Sequence, residues 1–518
     1  MVYCLFDIAT RKGALTPLNQ RVARLRLSLF ADDAAIFLKP VKEDVQGILQ
    51  ILTSFGTASG LLTNIHKSAV FPICCDGLNL SDIMECFQCP MKSFPCTYLG
   101  LPLHTRKLRR VDVQPLVDKV AARLPAWKGK FLNRAGRLTV LNAVLSSIPT
   151  YFLTVFQPQK WAIKQIDKIR RAFLWKGTDQ ANGGCCLVQW KKVQRPKKLG
   201  GLGVLDLERF SRALRLRWLW YEWKEPDRPW VGENLPVNEV DRQLFRASTV
   251  VTVGNGNTAK FWEASWLQGK APRDIAPSLY KLAWRKHLTV KEQIENQSWT
   301  RGLWRMNSIE EMADFIVLWD LVQGVHLTME EDQITWKWTA DGIYTAKSAY
   351  QAQFKGTYCT FKPGVLWRAH AEGKHKFFSW LLVQEKLLTA DKLQARNWPC
   401  NPVCRLCSLH FETAEHLCLH CPFAIQVWEL VRTWSGDTIR VPTQGATIEE
   451  WWCDALMQPT KNERRQAAAY LMYTAWNLWK ERNRRVFEGK AAEPKIVLQF
   501  IKEEMQLRYR ACGAPDIS

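Results

Sequence analysis

Four potential metal ligands lie close together around position 410, and no other feature of the sequence constrains the local fold as strongly. Cys404 and Cys407 are separated by two residues, His416 follows after eight more, and Cys421 after a further four. Zinc prefers four tetrahedral sulfur and nitrogen ligands, and a tight CxxC turn can supply two of them. The spacing therefore predicts one zinc site.

Cys400, Cys418 and His420 belong to the same string and could replace one of these four ligands. The spacing alone leaves the ligand set open. The alternative to a metal site is a pair of helices that bury free thiols, a common state of cysteine in a reducing compartment.

The chain carries 72 Lys and Arg residues against 49 Asp and Glu residues, which gives a formal net charge of +23 over 518 residues. Such a charge attracts polyanions before any specific contact forms, so RNA or DNA is the expected partner. The alternative is a basic protein that its charge merely keeps soluble. Hydrophobic residues make up 47%, enough for a sizeable core, and the length predicts about three domains.

The most apolar window, residues 140–156, is short and interrupted by Asn142, Ser146, Ser147 and Pro149, which makes it a poor membrane span. The first residues do not form the charged, apolar and small-residue segments of a secretory signal. We therefore expect an intracellular protein without membrane contact.

The segment from Leu25 to Leu38, LRLSLFADDAAIFL, has an apolar run on each side of two adjacent acids. It predicts a β-hairpin with Asp32 and Asp33 at the tip, followed by a helix over 42–58. Adjacent like charges favour a nearby cation, and carboxylates hold Mg²⁺ in phosphoryl transfer. The alternative is a surface turn without a metal.

Three later stretches, 113–123, 136–147 and 163–174, repeat apolar residues with helical period and place basic residues on the opposite face. In the last stretch this predicted basic face consists of Lys164, Lys168, Arg170 and Arg171. It could contact nucleic acid or be an ordinary solvated surface.

Two glycine-rich segments lack the spacing of a phosphate-binding loop. We interpret residues 200–203 as a loop before a helix that starts near Asp206, and residues 253–257 as a hairpin turn.

Aromatic and basic residues alternate around position 375. Bases could stack on Trp367, Phe377, Phe378 and Trp380, with phosphate contacts from Lys374, His375 and Lys376. The alternative is core packing, which helical spacing favours for Phe377, Trp380 and Leu381.

Several longer motifs occur in an order typical of one family. LRLSLFADDAAIFLKP resembles the aromatic-Ala-Asp-Asp hairpin of reverse transcriptase palms, and SGLLTNIHKSAVF and FPCTYLGLPL resemble the segments that follow it. LPAWKGKFLNRAGRLTVLNAVLSSIPTYFL resembles the thumb-like region of plant LINE elements, and VGNGNTAKFWEASWL, TADGIYTAKSAY and AWNLWKERNRRVFE follow in family order. The chain is therefore similar to the C-terminal part of a plant LINE-type, non-LTR retrotransposon reverse transcriptase with its zinc-binding domain.

The resemblance implies an α+β fold with a truncated palm made of a β-hairpin and helices, a helical thumb-like region and a mostly helical zinc-binding domain. The implied domains are a partial palm over 1–105, the thumb-like region over 106–223, a connecting region over 224–330, the zinc-binding domain over 331–430 and a basic helical region over 431–518. By analogy it also implies RNA and DNA as partners and a nuclear location.

Roles for individual residues follow from the same resemblance. Asp32 would bind Mg²⁺ with Asp33 beside it, Phe30 would pack near the primer end, and Lys67 would lie near incoming nucleotide or backbone phosphate. In the family, two Cys, a His and a Cys bind zinc in the pattern that this sequence shows at Cys404, Cys407, His416 and Cys421.

The family's earlier palm carboxylate has no counterpart in this sequence, and two-metal catalysis needs ligands from both places. We therefore expect a fragment of an RNA-directed DNA polymerase that is inactive alone and uses dNTPs only when its palm is completed. The alternatives are a zinc-containing nucleic-acid-binding protein without catalysis and a translated pseudogene that aggregates through exposed apolar surface.

Overall fold

The computed structural model describes residues 2–18, 26–124, 126–180, 185–228, 230–232, 234–457 and 460–513. Within them the fold is α+β, as predicted: helices predominate, and three short two-stranded sheets accompany them. Chain contacts divide the protein into two compact units, residues 1–116 with 216–335 and residues 117–215 with 336–518. None of the helices in the described part is both long and apolar enough to cross a bilayer.

The first unit contains the predicted hairpin. Strands Leu27–Phe30 and Asp33–Ile36 pair antiparallel through a two-residue turn, Ala31 and Asp32. Ala31 has a φ of +52°, the left-handed conformation that tight hairpin turns require. Leu25, where the predicted hairpin begins, lies outside the described residues.

A small core holds this hairpin against two helices. Helix Val2–Arg11 contributes Phe6 and helix Lys42–Ser59 contributes Ile48, and both side chains pack in one buried cluster with Leu27. The second helix ends at a glycine with positive φ. The arrangement of a strand pair followed by a helix, predicted from apolar spacing, is confirmed.

The remaining elements of this unit are mostly short. They are helices Leu80–Ile83, Arg110–Ala122, Glu239–Ser248, Pro272–Ile275, Pro277–Leu282, Val290–Ile294, Ser298–Arg301 and Ile309–Gln323, the 3-10 turns Ile65–Lys67 and Glu295–Gln297, and strands Cys96–Tyr98, Leu101–Leu103, Thr249–Thr252 and Gln333–Trp336. Helix Arg110–Ala122 runs across the boundary into the second unit.

The glycine-rich loop at 253–257 is not the hairpin turn that its sequence suggested, because strand Thr249–Thr252 pairs with the distant strand Gln333–Trp336. The loop instead surrounds the buried carboxylate of Asp332. Four backbone N–H groups donate to its two oxygens at 2.8 to 2.9 Å, those of Gly254, Gly256, Thr258 and Ala259. The chain's own acid thus satisfies these amides.

Replacing Asp332 by asparagine is expected to lower the free energy of unfolding by about 3 kcal/mol, because an amide N–H₂ would face buried N–H donors. Urea denaturation of the full chain measures the change. Glu331→Gln, at an exposed neighbouring position, is the matched control and should cost less than about 0.5 kcal/mol. Equal losses in both variants would contradict the assigned role of the Asp332 carboxylate.

The second unit is almost entirely helical within the described residues. Of the three predicted basic stretches, the two that lie wholly in this unit are helices, Arg134–Val140 continued by the π-helical turn Leu141–Leu145, and Lys160–Lys176. The other helices are Ala126–Phe131, Thr150–Val155, Trp190–Val193, Leu207–Lys224 (which crosses into the first unit), Ala346–Ala352, Pro363–Arg368, Gly373–Val383, Ala390–Gln394, Pro422–Trp434, Ile448–Asp454, Lys461–Phe487 and Pro494–Cys512, with a 3-10 turn at Lys197–Leu199 and a π-helical turn at His416–His420.

The loop predicted at residues 200–203 leads, as expected, to a helix start near Asp206. The helix is Leu207–Lys224, and the Asp206 carboxylate accepts hydrogen bonds from the N–H groups of Glu208 and Arg209. Asp206 therefore caps the first turn of this helix.

Two glycines allow segments of this unit to touch backbone to backbone. A Cβ atom on Gly129 would lie 2.2 Å from the carbonyl oxygen of Gly177, and one on Gly177 would lie 2.5 Å from the carbonyl oxygen of Gly129. Any side chain at either position would force the segments apart. This contact explains the glycines in the LPAWKGK and FLWKG motifs.

The predicted basic face of helix Lys160–Lys176 is wrong at Arg170, which is fully buried. Its Nη1 donates to Asp167 Oδ1 at 2.7 Å, and its Nη2 donates to Ser146 Oγ and to the Leu205 carbonyl oxygen, both at 2.9 Å. Burial lowers the pKa of this guanidinium, while Asp167 opposes that effect. Helical period could not distinguish this internal cation from Lys164 and Lys168, which are exposed.

Candidate zinc centre

The CxxC turn, residues 403–411, presents the first two cysteines. Val403 and Phe411 form an isolated antiparallel bridge, and the Cys404 N–H donates to the His410 carbonyl oxygen at 2.8 Å. Ser408 closes the turn with a φ of +58°. Both thiols therefore project from one tight loop.

The other two residues come from the following helical segment. His416 begins the π-helical turn, and Cys421 is the N-cap of helix Pro422–Trp434, with Pro422 in the first helical position. The Cys421 N–H donates to the His416 carbonyl oxygen at 2.7 Å, which links the two positions. The CxxC turn therefore supplies two ligands, and the segment from the π-helical turn to the start of helix Pro422–Trp434 supplies the other two.

The four side chains converge on one point. Their ligand atoms, three sulfurs and one imidazole nitrogen, all lie within 4.8 Å of one another. Cys404 and Cys421 are buried, and Cys407 Sγ lies 3.3 Å from His416 Nε2. In a tetrahedral site with Zn–S bonds of about 2.3 Å, ligand sulfurs lie roughly 3.8 Å apart. The donor chemistry and the spacing both fit a structural zinc ion.

Hydrogen bonds within the cluster favour the thiolate form of Cys404, which is the form that binds zinc. A hydrogen bond from the Cys421 thiol lowers the pKa of Cys404 to about 3. The hydrogen bond with Cys404 likewise raises the pKa of His416. Zinc binding would release the thiol protons of this cluster, because cysteine binds the metal as its thiolate.

The three competing residues do not join this group. Cys418 is fully buried, and burial raises the pKa of its thiol to about 12. His420 Nε2 lies 2.9 Å from the Ala446 carbonyl oxygen, and Cys400 donates to the carbonyl oxygen of Ala390. Among the described residues, the cluster of three or more potential ligands contains the four predicted side chains and none of the competitors.

A buried ion pair joins Glu412, the residue that follows the CxxC turn, to the long helix Lys461–Phe487. Arg482 donates from Nη2 to Glu412 Oε1 at 2.6 Å and from Nε to both carboxylate oxygens at 3.0 and 3.1 Å. Glu412 is 1% exposed and Arg482 is 5% exposed. The carboxylate also accepts the N–H of Ala390 at 2.9 Å. Such bidentate pairs are directional and fix the parts that they connect.

One turn further along the same helix, Arg485 contacts the CxxC turn directly. Its Nη1 donates to the carbonyl oxygens of Leu406 and Arg405 at 2.9 and 3.3 Å. The fully buried Glu481 accepts from Arg485 Nε at 2.8 Å and holds it in place. Both arginines therefore support the turn that carries two proposed zinc ligands.

The sequence interpretation missed Glu412, Arg482 and Arg485 because it treated the last long helix only as basic. A signal was present in the preceding run, AAAYLMYTAWNLW, which is apolar on all faces and typical of a buried helix. Charged residues that continue such a helix need buried partners.

The proposed phosphate contact of His375 is wrong. This imidazole is fully buried between two acids, with Nδ1 2.6 Å from Glu372 Oε2 and Nε2 3.4 Å from Glu504 Oε2. Burial would raise the pKa of Glu504, but the hydrogen bond with His375 and the charge of Lys480 outweigh it and lower the pKa to about 2. The histidine therefore belongs to an internal polar network.

Core packing is confirmed for Phe377, Trp380 and Leu381, which are at most 3% exposed. Trp380 Nε1 donates to the Gly200 carbonyl oxygen at 2.8 Å. Phe378 is also buried, whereas Trp367 is half-buried with Lys197 Nζ 5.0 Å from its ring centre. Most of this aromatic group is therefore structural.

The hairpin residues of the first unit are exposed. Asp32 and Asp33 lie at the turn, and Phe30 is 65% exposed beside them. Lys67 is exposed at the end of the 3-10 turn Ile65–Lys67. No ion pair within the described residues links it to either acid.

Comparison with known proteins identifies the segment around the metal ligands. Residues 344–428 match the family described as zinc-binding in reverse transcriptase. All four clustered residues lie inside the matched segment. This zinc-binding region and the geometry of its Cys and His side chains together support zinc as the metal.

A relative extends the similarity over most of the chain. An Arabidopsis thaliana protein named as a ribonuclease H protein is 25% identical over 461 residues, which cover 79% of this chain and 70% of the relative. Together the two findings support a retrotransposon-related protein with a reverse-transcriptase type of zinc-binding region, and they imply nucleic acid as its partner.

Proposed function

We propose that this chain is the C-terminal part of a plant LINE-type reverse transcriptase and that it binds RNA or DNA through a fold that zinc stabilises. The observation that carries the proposal is the Cys₃His cluster inside a segment that matches the reverse-transcriptase zinc-binding family. The net charge of +23 supports a polyanionic partner.

Zinc has a structural role in this proposal. Cys404, Cys407, His416 and Cys421 would supply four protein ligands, which fill a tetrahedral shell and leave no position for water or substrate. The metal would fix the CxxC turn against the start of helix Pro422–Trp434. It contributes to folding and takes no part in a reaction.

We assign no independent polymerase activity to the hairpin acids. In a completed palm, Asp32 would hold Mg²⁺ with Asp33 beside it, Phe30 would lie near the primer end and Lys67 near phosphate of a dNTP or the backbone. Two adjacent carboxylates supply too few ligands for the paired ions that in-line displacement uses. The proposed activity of the chain alone is therefore binding without synthesis.

RNA binding and primer extension in the same samples test this function. With Mg²⁺ present, we expect the logarithm of the RNA-binding constant to fall linearly with the logarithm of the salt concentration. We expect no extension of the primer. Asp32→Ala should leave binding unchanged, as should the control Asp76→Ala at an exposed position away from the hairpin. Extension that Asp32→Ala abolishes would overturn the assigned lack of synthesis, and absence of binding would overturn the proposal as a whole.

A further inference from the structure

A cavity of about 470 Å³ opens within the second unit. Helices Arg134–Val140, Gly373–Val383 and Lys461–Phe487 contribute to its lining. A Cβ atom on Gly373 would lie 3.1 Å from Ala135 Cβ, so the first two helices approach closely at this point. The volume falls in the range of sites that bind small molecules or a single nucleotide unit.

Aromatic rings form much of the lining. Trp175 and Phe377 meet edge to face with ring centres 6.1 Å apart, and Phe378 and Trp476 meet in the same way at 5.2 Å. Trp479, which is half-buried, adds a further ring. Flat apolar surfaces held by such packing suit a planar ring of an occupant.

Two hydrogen-bond donors of this lining lack an acceptor. The indole Nε1 atoms of Trp175 and Trp476 are buried and make no hydrogen bond within the described residues. Trp175 as a whole is 5% exposed. These N–H groups are closed to water, so the cavity offers an occupant the ring surfaces of its lining and not these two donors.

The charged lining residues are all cations: Arg134, Arg137, Lys374 and Lys386. Arg137 donates to the carbonyl oxygens of Gly129 and Trp175, and no acid of the described chain forms an ion pair with it. Arg134 forms no ion pair with a described residue, and burial together with the charge of Arg137 lowers its pKa. Lys374 alone approaches an acid, Glu504, at 3.6 Å. Stacking surface beside uncompensated positive charge is the combination that binds single-stranded nucleic acid.

We propose that this cavity binds one unstacked base of a single-stranded RNA or DNA, with Arg134 and Lys386 contacting the adjacent phosphates. This proposal rests on the proposed nucleic-acid-binding function, and it assigns one of the nucleic-acid contacts to this cavity.

The test compares a short single-stranded oligonucleotide with an abasic strand of the same length, using fluorescence anisotropy and the full chain. The bases should raise affinity about tenfold, the effect of stacking one base. Trp479→Leu should remove this preference, and Lys386→Gln should weaken binding of both strands. Lys495→Gln, at an exposed position outside the cavity, is the charge-matched control and should weaken both strands less than Lys386→Gln does. Zinc content and thermal unfolding of each variant report whether its fold is intact.

The outcomes separate the two proposals. Equal affinity for both strands in the wild-type chain would overturn base binding in the cavity and leave electrostatic nucleic-acid binding in place. Loss of the preference in Trp479→Leu together with loss of zinc or a lower unfolding temperature would overturn the assigned role of Trp479. Equal weakening of binding by Lys386→Gln, on an exposed side chain, and by Lys495→Gln would overturn the phosphate contact at the cavity. Binding of an acidic, aromatic peptide that Trp479→Leu weakens, together with equal affinity for the two strands, would assign the cavity to a protein partner and overturn the proposal. Absence of binding to either strand would overturn both proposals.

Discussion

Cys404→Ser is expected to abolish stoichiometric zinc binding and to unfold the CxxC turn together with the start of helix Pro422–Trp434. Cys404 is fully buried, and its sulfur lies in the group of four ligand atoms within 4.8 Å of one another. Structural zinc contributes an apparent free energy of about 10 to 16 kcal/mol in small zinc peptides, so losing one ligand should outweigh any packing change. Metal analysis of the purified chain and thermal unfolding before and after chelation measure the effect.

Cys400→Ser provides the matched control for this experiment. Its thiol belongs to the same string but donates to the Ala390 carbonyl oxygen and lies outside the ligand group. We expect this variant to keep one zinc per chain and to respond to chelation like the wild type. One zinc per chain in Cys404→Ser with an unchanged response to chelation would show that the ligand set is wrong.

The second large effect is expected from Arg482→Met, which should lower the free energy of unfolding by about 3 to 5 kcal/mol. The substitution keeps most of the side-chain volume but removes the charge that neutralises Glu412, a carboxylate only 1% exposed. The hydrogen bond that remains to this carboxylate among the described residues, from the Ala390 N–H, cannot compensate a buried charge. Chemical denaturation of the zinc-loaded chain measures the loss.

Two further variants test the cause of this loss. Arg432→Met removes an arginine whose ion pair with Glu429, at 2.9 Å, is about half exposed, and it should cost less than about 1 kcal/mol. Adding Glu412→Met to Arg482→Met should restore part of the stability, because no unpaired charge then remains buried. A double variant that is as unstable as the sum of its single changes would contradict the coupling of these two residues.

Local patterns in the sequence predicted the features that depend on neighbouring residues. The spacing from Cys404 to Cys421 predicted a metal site within one short segment. It left Cys400, Cys418 and His420 as alternative ligands, and the fold places these three outside the cluster. The hairpin around Asp32 and helix Lys42–Ser59 likewise follow from residues within a few turns of each other.

Features that depend on packing between distant segments could not be predicted in this way. Arg170 and His375 were assigned to basic surfaces, yet each is buried among acceptors that other helices bring near. The amide loop at 253–257 receives its carboxylate from Asp332, more than seventy residues later in the chain. The partner of a buried charge is determined by the fold, and the helical period in a single sequence does not identify it.

The contact between Arg485 and the CxxC turn bears on where a fragment for recombinant work should end. The segment that matches the zinc-binding family stops at residue 428 and contains every metal ligand, but it ends well before Arg482 and Arg485. A fragment trimmed to that match would lack both the countercharge of Glu412 and the donor to the Leu406 carbonyl oxygen. A fragment intended to keep its metal should therefore extend through helix Pro494–Cys512, which packs against both Pro422–Trp434 and Lys461–Phe487.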